Sequence, residues 1–295
     1  MDLDIIKQRQ PYPNLALMKL SAHHKARGDK VYLNFPLLQP DITYASCVFS
    51  WHAKKRACLP ERATLGGSGI DFKAELPSEV EHIMPDYSLY PSVDSSMGFT
   101  SRGCVRRCPW CIVPEKEGQI KPWARIYEFW DRRHRKITLL DNNMLAAPNW
   151  RLTMEDLIAE GLEVDFNQGL DIRLVNMDNA GYLKRVKARQ LRFAFDDIAY
   201  ESAVRKGILL LLANGIRSRK LSFYVLTGYG DDNTVLERIR SLQSYNVDIY
   251  PMLYKDASGK EPQRKLLGDQ IGNMMFHGPR RNINKFLRIV GRLPE

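Results

Sequence analysis

The sequence predicts an α/β protein in which β/α units repeat around a parallel sheet, with a shorter α/β segment ahead of them. Three observations predict it. From residue 93 onward, six short apolar runs of strand length alternate with stretches whose apolar residues recur at helical spacing, the mark of parallel β/α units. Polar residues follow directly on several of these runs, as expected where parallel strands end at one mouth. Before residue 93 the pattern is shorter and broken by glycine and proline. The length of 295 residues and hydrophobic fraction of 44% suit one large domain or two modest ones.

Residues 1–92 form the first segment. PYPNLALMKLSAHHKARGDKVYL has apolar positions at helical spacing, a glycine at the helix end and a strand after it. His23 and His24 fall on the surface of that helix. ITYASCVFSW is a further strand. TLGGSGID is a glycine-rich turn whose bare backbone would let a phosphate or nucleotide approach. Cys47 and Cys58 read as buried structural cysteines.

Residues 93–256 hold the repeat. SSMGFTS (95–101) is the first strand and runs straight into a cysteine loop, after which ARIYEFWDRRH (124–134) reads as a helix. KITLLDN (136–142) is the second strand, with a helix begun near Thr153 and Glu155 and Asp156 in its first turn. LEVDFNQ (162–168) is the third, and DNAGYLKRVKA its helix. QLRFAFD (190–196) is the fourth, followed by YESAVRKGILLLLANG, which Gly215 ends as a C-terminal cap. LSFYVLTG (221–228) is the fifth, TVLERIRSLQSYN its helix, and VDIYPMLY (247–254) the sixth. Residues 257–295 form a basic extension with NINKFLRIV at helical spacing, placed to close the mouth or to meet a polyanion.

The formal charge of +10 and pI near 9.3 attract phosphate-bearing partners, so nucleic acid is a candidate substrate or partner. The basic clusters are RRHRK (132–136), RSRK (217–220) and PRRNINKFLRIVGR near the C-terminus; each reads equally as a solvated face. Collagenous and disordered classes are excluded by composition. No apolar run is long enough to cross a bilayer, and MDLDIIKQRQ lacks the order of a signal peptide. A cytoplasmic protein without a membrane partner is expected. An odd cysteine count without a secretory signal speaks for a reducing compartment rather than disulfides.

GFTSRGCVRRCPWCIVP places Cys104, Cys108 and Cys111 in CxxxCxxC spacing on one short loop. Three thiolates so spaced can hold three irons of a 4Fe-4S cluster and leave the fourth open, whereas a pure electron carrier supplies four cysteines. Structural zinc is closed by four ligands, and no partner motif follows at finger spacing; His134 is the nearest downstream histidine. Zinc remains the alternative metal. Arg106 and Arg107 would offset the charge of an anionic cluster.

After the strands stand Asp141, Asn142 and Asn143; Asn167, Gln168 and Asp171; Asp196 and Asp197; and Thr227 and Gly228. Each taken alone also reads as a turn-former or helix cap. Recurrence after four strands favours a site.

The cysteine motif resembles the signature of the radical S-adenosylmethionine (SAM) enzymes, including the aromatic Trp110 before the last cysteine. The resemblance implies a partial (β/α)6 TIM-like barrel with the cluster loop after its first strand. It implies that the amine and carboxylate of SAM chelate the open iron, and that one-electron cleavage, fed by an external reductant such as flavodoxin or ferredoxin, yields a 5′-deoxyadenosyl radical in an oxygen-sensitive enzyme. Asp141, Asn142 and Asn143 stand where the family often has a Gly-Gly-Glu motif for the SAM amine, a departure that leaves that contact open. Gln168 belongs to the same strand-end set, Asp196 matches the ribose position, Thr227 and Gly228 the glycine motif near adenine, and Met252 a packing position beside it.

The N-terminal segment resembles the cobalamin-binding domain ahead of many radical SAM cores. NLALMKLSAHHKARGDKV is similar to its first helix and LGGSG to its nucleotide-tail loop. The segment is short for a complete Rossmann-like unit and lacks Asp-x-His-x-x-Gly, so cobalamin is a candidate cofactor without a histidine ligand. With cobalamin the expected reaction is methyl transfer to an unreactive carbon; without it, rearrangement or another hydrogen abstraction from a small molecule. The rival expectations are radical modification of nucleic acid or a nucleotide, and a non-catalytic, metal-stabilised binding protein.

Overall fold

A computed structural model describes residues 1–4, 12–35, 39–50, 52–54 and 59–255 of the chain. Cys58, Trp51 at the end of ITYASCVFSW, and the basic extension over 257–295 lie outside the described residues. The described chain falls into two compact units, one within 1–99 and 123–138, the other within 100–122 and 139–255.

In the first unit, helix α1 (Leu15–Ala26) starts where Asn14 accepts a hydrogen bond from the Leu17 N–H at 3.2 Å, and unwinds at Gly28 with φ of 88°. The strand expected at KVYL does not form. Asn34 turns the chain there with φ of 49°, and its amide exchanges hydrogen bonds with the Asp2 backbone at 2.8 and 3.0 Å. Strand β1 (Tyr44–Ser46) lies parallel to β2 (Thr64–Gly66), Tyr44 opposite Thr64. In the glycine-rich turn that follows, a Cβ on Gly67 would stand 2.4 Å from the Cys47 carbonyl oxygen, and one on Gly69 2.7 Å from the Phe49 carbonyl carbon. These glycines let the chain press against itself.

Met18, Tyr87 and Tyr90 form the buried heart of this unit, with Leu15, Leu33, Leu89, Val93 and Met97 against them. The Tyr87 hydroxyl accepts from the Met97 N–H and donates to the Phe129 carbonyl. The helix expected over 124–134 is reduced to a 3-10 turn, Ile126–Glu128. Ile126, Phe129 and Trp130 are buried as a helix would bury them, but the next amide, Asp131 N–H, donates to Ser96 Oγ at 2.9 Å. The Asp131 carboxylate takes the Arg133 N–H instead, so the chain turns away. Strand β3 (Ser95–Gly98) belongs to this unit, as does most of strand β6 (Lys136–Leu139).

The second unit opens with an antiparallel ladder, β4 (Ser101–Arg102) on β5 (Lys121–Pro122), that closes the cysteine loop at its base. The short helix α3 (Val113–Lys116) lies within that loop, as α2 (Ser78–Glu81) lies within the first unit, and next come α4 (Trp150–Ala159), β7 (Glu163–Phe166), α5 (Met177–Arg185) and β8 (Leu191–Ala194). They are followed by α6 (Glu201–Ala213), β9 (Leu221–Thr227), α7 (Asp232–Gln243) and β10 (Asp248–Leu253). All six strands expected from the sequence are present. Helix α4 starts three residues before Thr153, directly after Pro148 and Asn149, so Glu155 and Asp156 sit in its middle and not at its N-terminus. Gly215, with φ of 76°, ends α6 as expected.

Strands β8, β9 and β10 form a parallel sheet in which β9 is central, Leu191 and Asp248 flanking it opposite Leu221 and Ser222. Of the seven residues of β9 all but Tyr224 are buried, which is why its sequence is a nearly unbroken apolar run. The parallel pairing continues beyond β7, where the Leu170 N–H donates to the Arg192 carbonyl at 2.7 Å and the Asn167 N–H to the Leu139 carbonyl at 3.1 Å. The protein is thus a mixed α/β chain with several parallel sheets. Among the described residues each sheet has two or three strands, and none closes on itself. No helix among them is long and apolar enough to cross a membrane.

Candidate metal centre

The cysteine loop is tied at its base by one carboxylate. Glu117 Oε2 accepts the Gly103 N–H at 3.0 Å, Arg102 Nε at 3.1 Å and Asn142 Nδ2 at 2.7 Å. Gly103, with φ of 79°, lies so close to the returning strand that a Cβ would meet the Gln119 carbonyl oxygen at 2.2 Å. The Cys104 N–H donates to the Gly118 carbonyl, and the Cys111 N–H to the Cys108 carbonyl at 3.0 Å, which makes Cys-Pro-Trp-Cys a tight turn with proline at its second position.

Cys104 and Cys108 are half-buried and Cys111 is exposed. The Cys104 sulfur accepts the Arg106 N–H at 3.3 Å and Asn143 Nδ2 at 3.5 Å. Burial pushes the Cys108 thiol up; the Arg173 charge opposes this, while Cys111, Cys104 and Asp196 add to it. Burial likewise raises Cys111, against a hydrogen bond from the Val113 backbone and with Cys104 and Asp196 reinforcing. Cys108 and Cys111 therefore have Cys104 and Asp196 as common neighbours. Among the described residues no three His, Cys, Asp or Glu side chains stand together as a grip for one metal ion. A cubane offers each thiolate its own iron, so the sulfurs that hold it stand farther apart than sulfurs sharing a single ion.

Asp141 is nearly fully buried, and its carboxylate accepts from Thr100 N–H, Thr100 Oγ1 (2.7 Å) and Ser101 Oγ (2.6 Å). Burial raises its pKa against those bonds. Its work is to hold the chain entering the cysteine loop. Asn142 serves Glu117. Asn143 is buried beside Cys104: Nδ2 faces that sulfur and Asp171 Oδ2 (3.4 Å), while its Oδ1 is buried without a partner. An orphaned amide oxygen in such a place needs a reason.

Asp171 binds Arg106 Nε at 3.0 Å and Arg173 at 2.7 and 3.0 Å. Burial works against its ionisation, yet the two arginines hold its carboxyl below the ordinary range. Arg173 in turn lies 4.3 Å over the Tyr200 ring. Burial raises the Asp196 pKa, opposed by the Leu226 N–H (3.1 Å), by the charges of Arg238 and Arg173 and by a hydrogen bond to Trp110. Arg238 is 1% exposed and donates to the carbonyls of Phe195 (2.7 Å) and Leu226 (3.1 Å), joining the ends of β8 and β9. The Trp110 ring sits 5.4 Å from Tyr229, itself 5.1 Å from Tyr254.

The structure thus brings Trp110, Asn143, Asp171 and Asp196 around the three cysteines. Thr227 is fully buried and donates to the Met252 carbonyl at 3.2 Å, Gly228 turns the chain with φ of 75°, and Met252 and Gln168 are exposed. Asp197 caps the turn Ile198–Tyr200. Sequence reasoning missed Glu117, Arg173, Arg238 and Tyr229. Glu117 and Arg173 lie a few residues from motifs that were read, but Arg238 looks like any surface arginine of an amphipathic helix.

Compared with known proteins, the chain matches no protein-family model, and no curated protein shows significant similarity to it.

Proposed function

We propose that the chain is a radical SAM enzyme whose core, residues 93–256, is an open partial (β/α)6 barrel in which Cys104, Cys108 and Cys111 hold a 4Fe-4S cluster. The observation that carries this reading is the unpartnered, buried Oδ1 of Asn143, whose Nδ2 faces the Cys104 sulfur on a loop of three cysteines. The residues fit the group: three soft sulfur donors with no fourth cysteine near them in the sequence, N–H donors to the Cys104 sulfur, and cationic Arg106 and Arg173 near an anionic cluster. With SAM and an electron from a reductant such as flavodoxin or ferredoxin, the cluster supplies a 5′-deoxyadenosyl radical that takes a hydrogen atom from substrate.

The chain's own residues bind and orient. Asn143 Oδ1 offers an acceptor to an ammonium group. Asp196 retains acceptor sites beyond its bonds to Leu226 and Trp110, suited to ribose hydroxyls. Trp110 and Tyr229 wall the loop with rings and limit water. If the first unit binds cobalamin, the outcome would be methyl transfer to an unreactive carbon; without it, rearrangement or another hydrogen abstraction.

Anaerobic reconstitution with iron and sulfide tests the reading. The expected result is about four irons per chain, a broad cluster absorption, and 5′-deoxyadenosine once SAM and dithionite are added. Cys104→Ala, Cys108→Ala and Cys111→Ala each remove both signals, and Cys47→Ala spares them. A native chain that takes up no cluster sinks the proposal.

A further inference from the structure

The second unit gathers cations at the amino ends of two neighbouring strands. KRVKAR (184–189) leads into β8 and RSRK (217–220) into β9, seven cations in ten residues without one carboxylate. The parallel register sets Leu191 opposite Leu221, so Arg189 and Arg219 each stand two residues ahead of adjacent strands that run about 5 Å apart. The segments also meet through side chains. Lys184 Nζ donates to the Gly215 carbonyl just ahead of RSRK, and a Cβ on Gly215 would stand 3.1 Å from that nitrogen. Lys187 reaches the Gly161 carbonyl at 3.2 Å and lies opposite Glu163 in a parallel bridge, so it has an acid at hand and is set aside.

Lys184, Arg189, Arg217 and Arg219 are exposed and Lys220 is half-buried. Among the described residues none of the five is in an ion pair with a carboxylate. Acids on the flanking strands are engaged elsewhere: Asp165 holds Arg192, and Asp248 accepts Gln190 Nε2 at 2.7 Å. Of the three N–H donors of Lys184, Gly215 takes one. Burial, and then the Lys184 charge, hold the Lys220 ammonium below its ordinary pKa. Two ammonium groups that repel one another, with no counterion between them, are relieved by an incoming anion.

We propose that Lys184, Arg189, Arg217, Arg219 and Lys220 form a docking surface for the phosphate backbone of a nucleic-acid duplex. Three guanidinium groups and two ammonium groups supply charge-assisted hydrogen bonds to phosphate oxygens. The apolar residues between these cations, Val186, Ala188 and Ile216, are all buried, so the surface offers no side chain for insertion into an anionic membrane. Neither segment holds an aromatic ring on which an unpaired base could stack. What remains is contact with phosphates, and a duplex, whose bases are already stacked, presents its backbone for that. Arg189 precedes Asp196 by seven residues along β8, about 20 Å of extended chain. A duplex held there docks the protein without entering the chemistry at the cysteines, so the inference stands whether or not they hold a cluster.

The test is fluorescence anisotropy of the full chain with a labelled DNA duplex of about 20 base pairs, two helical turns, over a series of salt concentrations. Each phosphate contact on a duplex adds about 0.9 to the slope of log K against log salt. Arg189→Ala/Arg217→Ala/Arg219→Ala is expected to flatten that slope by about 3 and to weaken binding at least about tenfold near 0.1 M salt. Lys220→Gln, which relieves the repulsion from Lys184, is expected to flatten the slope by about 1 without loss of stability in urea. The charge-matched control Arg27→Ala/Lys30→Ala/Arg62→Ala removes three exposed cations from the first unit. If the control loses as much affinity as the first triple, binding is bulk charge and the proposal falls. It falls equally if the native chain does not bind the duplex, binds the corresponding single strand or phosphatidylserine vesicles more tightly, or releases the duplex as readily to poly-glutamate as to unlabelled duplex. Circular dichroism of each variant, matching the native chain, shows that any loss is not unfolding.

Discussion

Replacing Gly103 by alanine, with Gly118→Ala beside it, asks whether the cysteine loop is held by a close backbone approach. Both glycines have positive φ, 79° and 71°, so each alanine meets the same left-handed strain of about 1–2 kcal/mol. Their surroundings differ. A Cβ on Gly118 meets nothing within 4 Å, whereas one on Gly103 stands 2.2 Å from the Gln119 oxygen, 2.6 Å from its carbonyl carbon and 2.8 Å from the Gly118 oxygen. All three are main-chain atoms, so no rotamer relieves the clash and one side of the loop must move. Movement stretches the Gly103–Glu117 and Cys104–Gly118 hydrogen bonds, each worth about 1 kcal/mol. Gly103→Ala is therefore expected to cost about 3–4 kcal/mol, and Gly118→Ala about 1–2. Urea titration gives both values from the midpoint at constant slope. Iron uptake under reconstitution should fall in Gly103→Ala and persist in Gly118→Ala. Equal costs for the two variants, or a Gly103→Ala chain with native stability, would refute the close approach as the element that sets the loop.

Two further perturbations reach other parts of the chain. Arg238→Met keeps the bulk but leaves the buried carbonyls of Phe195 and Leu226 without their donor, and is expected to cost about 3–5 kcal/mol in urea titration; a loss under about 1 kcal/mol would mean that the guanidinium is not needed there. Tyr87, pushed by burial from 10.0 up to about 12, keeps its proton in the folded chain while the unfolded chain releases it. The unfolded state then binds fewer protons, so this contribution is fully present below pH 10 and is lost as pH rises to about 12, a fall of about 3 kcal/mol. Tyr87→Phe should lower stability at pH 8 and flatten that fall, and a native-sized fall in the variant would assign it to other groups.

Much of the fold was legible because strand length, apolar runs and glycine stops are local properties. The six strands lie within a few residues of their expected positions, and Gly215 ends its helix for the reason that was read. The misreadings share a cause. Residues 124–134 have helical apolar spacing and bury Ile126, Phe129 and Trp130 accordingly, but the Asp131 amide finds Ser96, 35 positions away in sequence, and the helix stops. The strand expected after α1 fails in the same way, through the Asn34–Asp2 exchange. A distant partner outbid local propensity in both places.

By itself the sequence determined the order of α and β elements and put three cysteines on one loop, since covalent spacing and periodicity need no partner. Only the tertiary structure decided which strand-end residues have work already. Asp141 is consumed by Thr100 and Ser101 and Asn142 by Glu117, while Asn143 keeps a buried oxygen unpartnered beside Cys104. Asn142 and Asn143 carry the same amide and so the same hydrogen-bonding chemistry. What separates them is the direction in which each side chain leaves the end of the strand and which donor it meets there, and that is settled by packing across the unit.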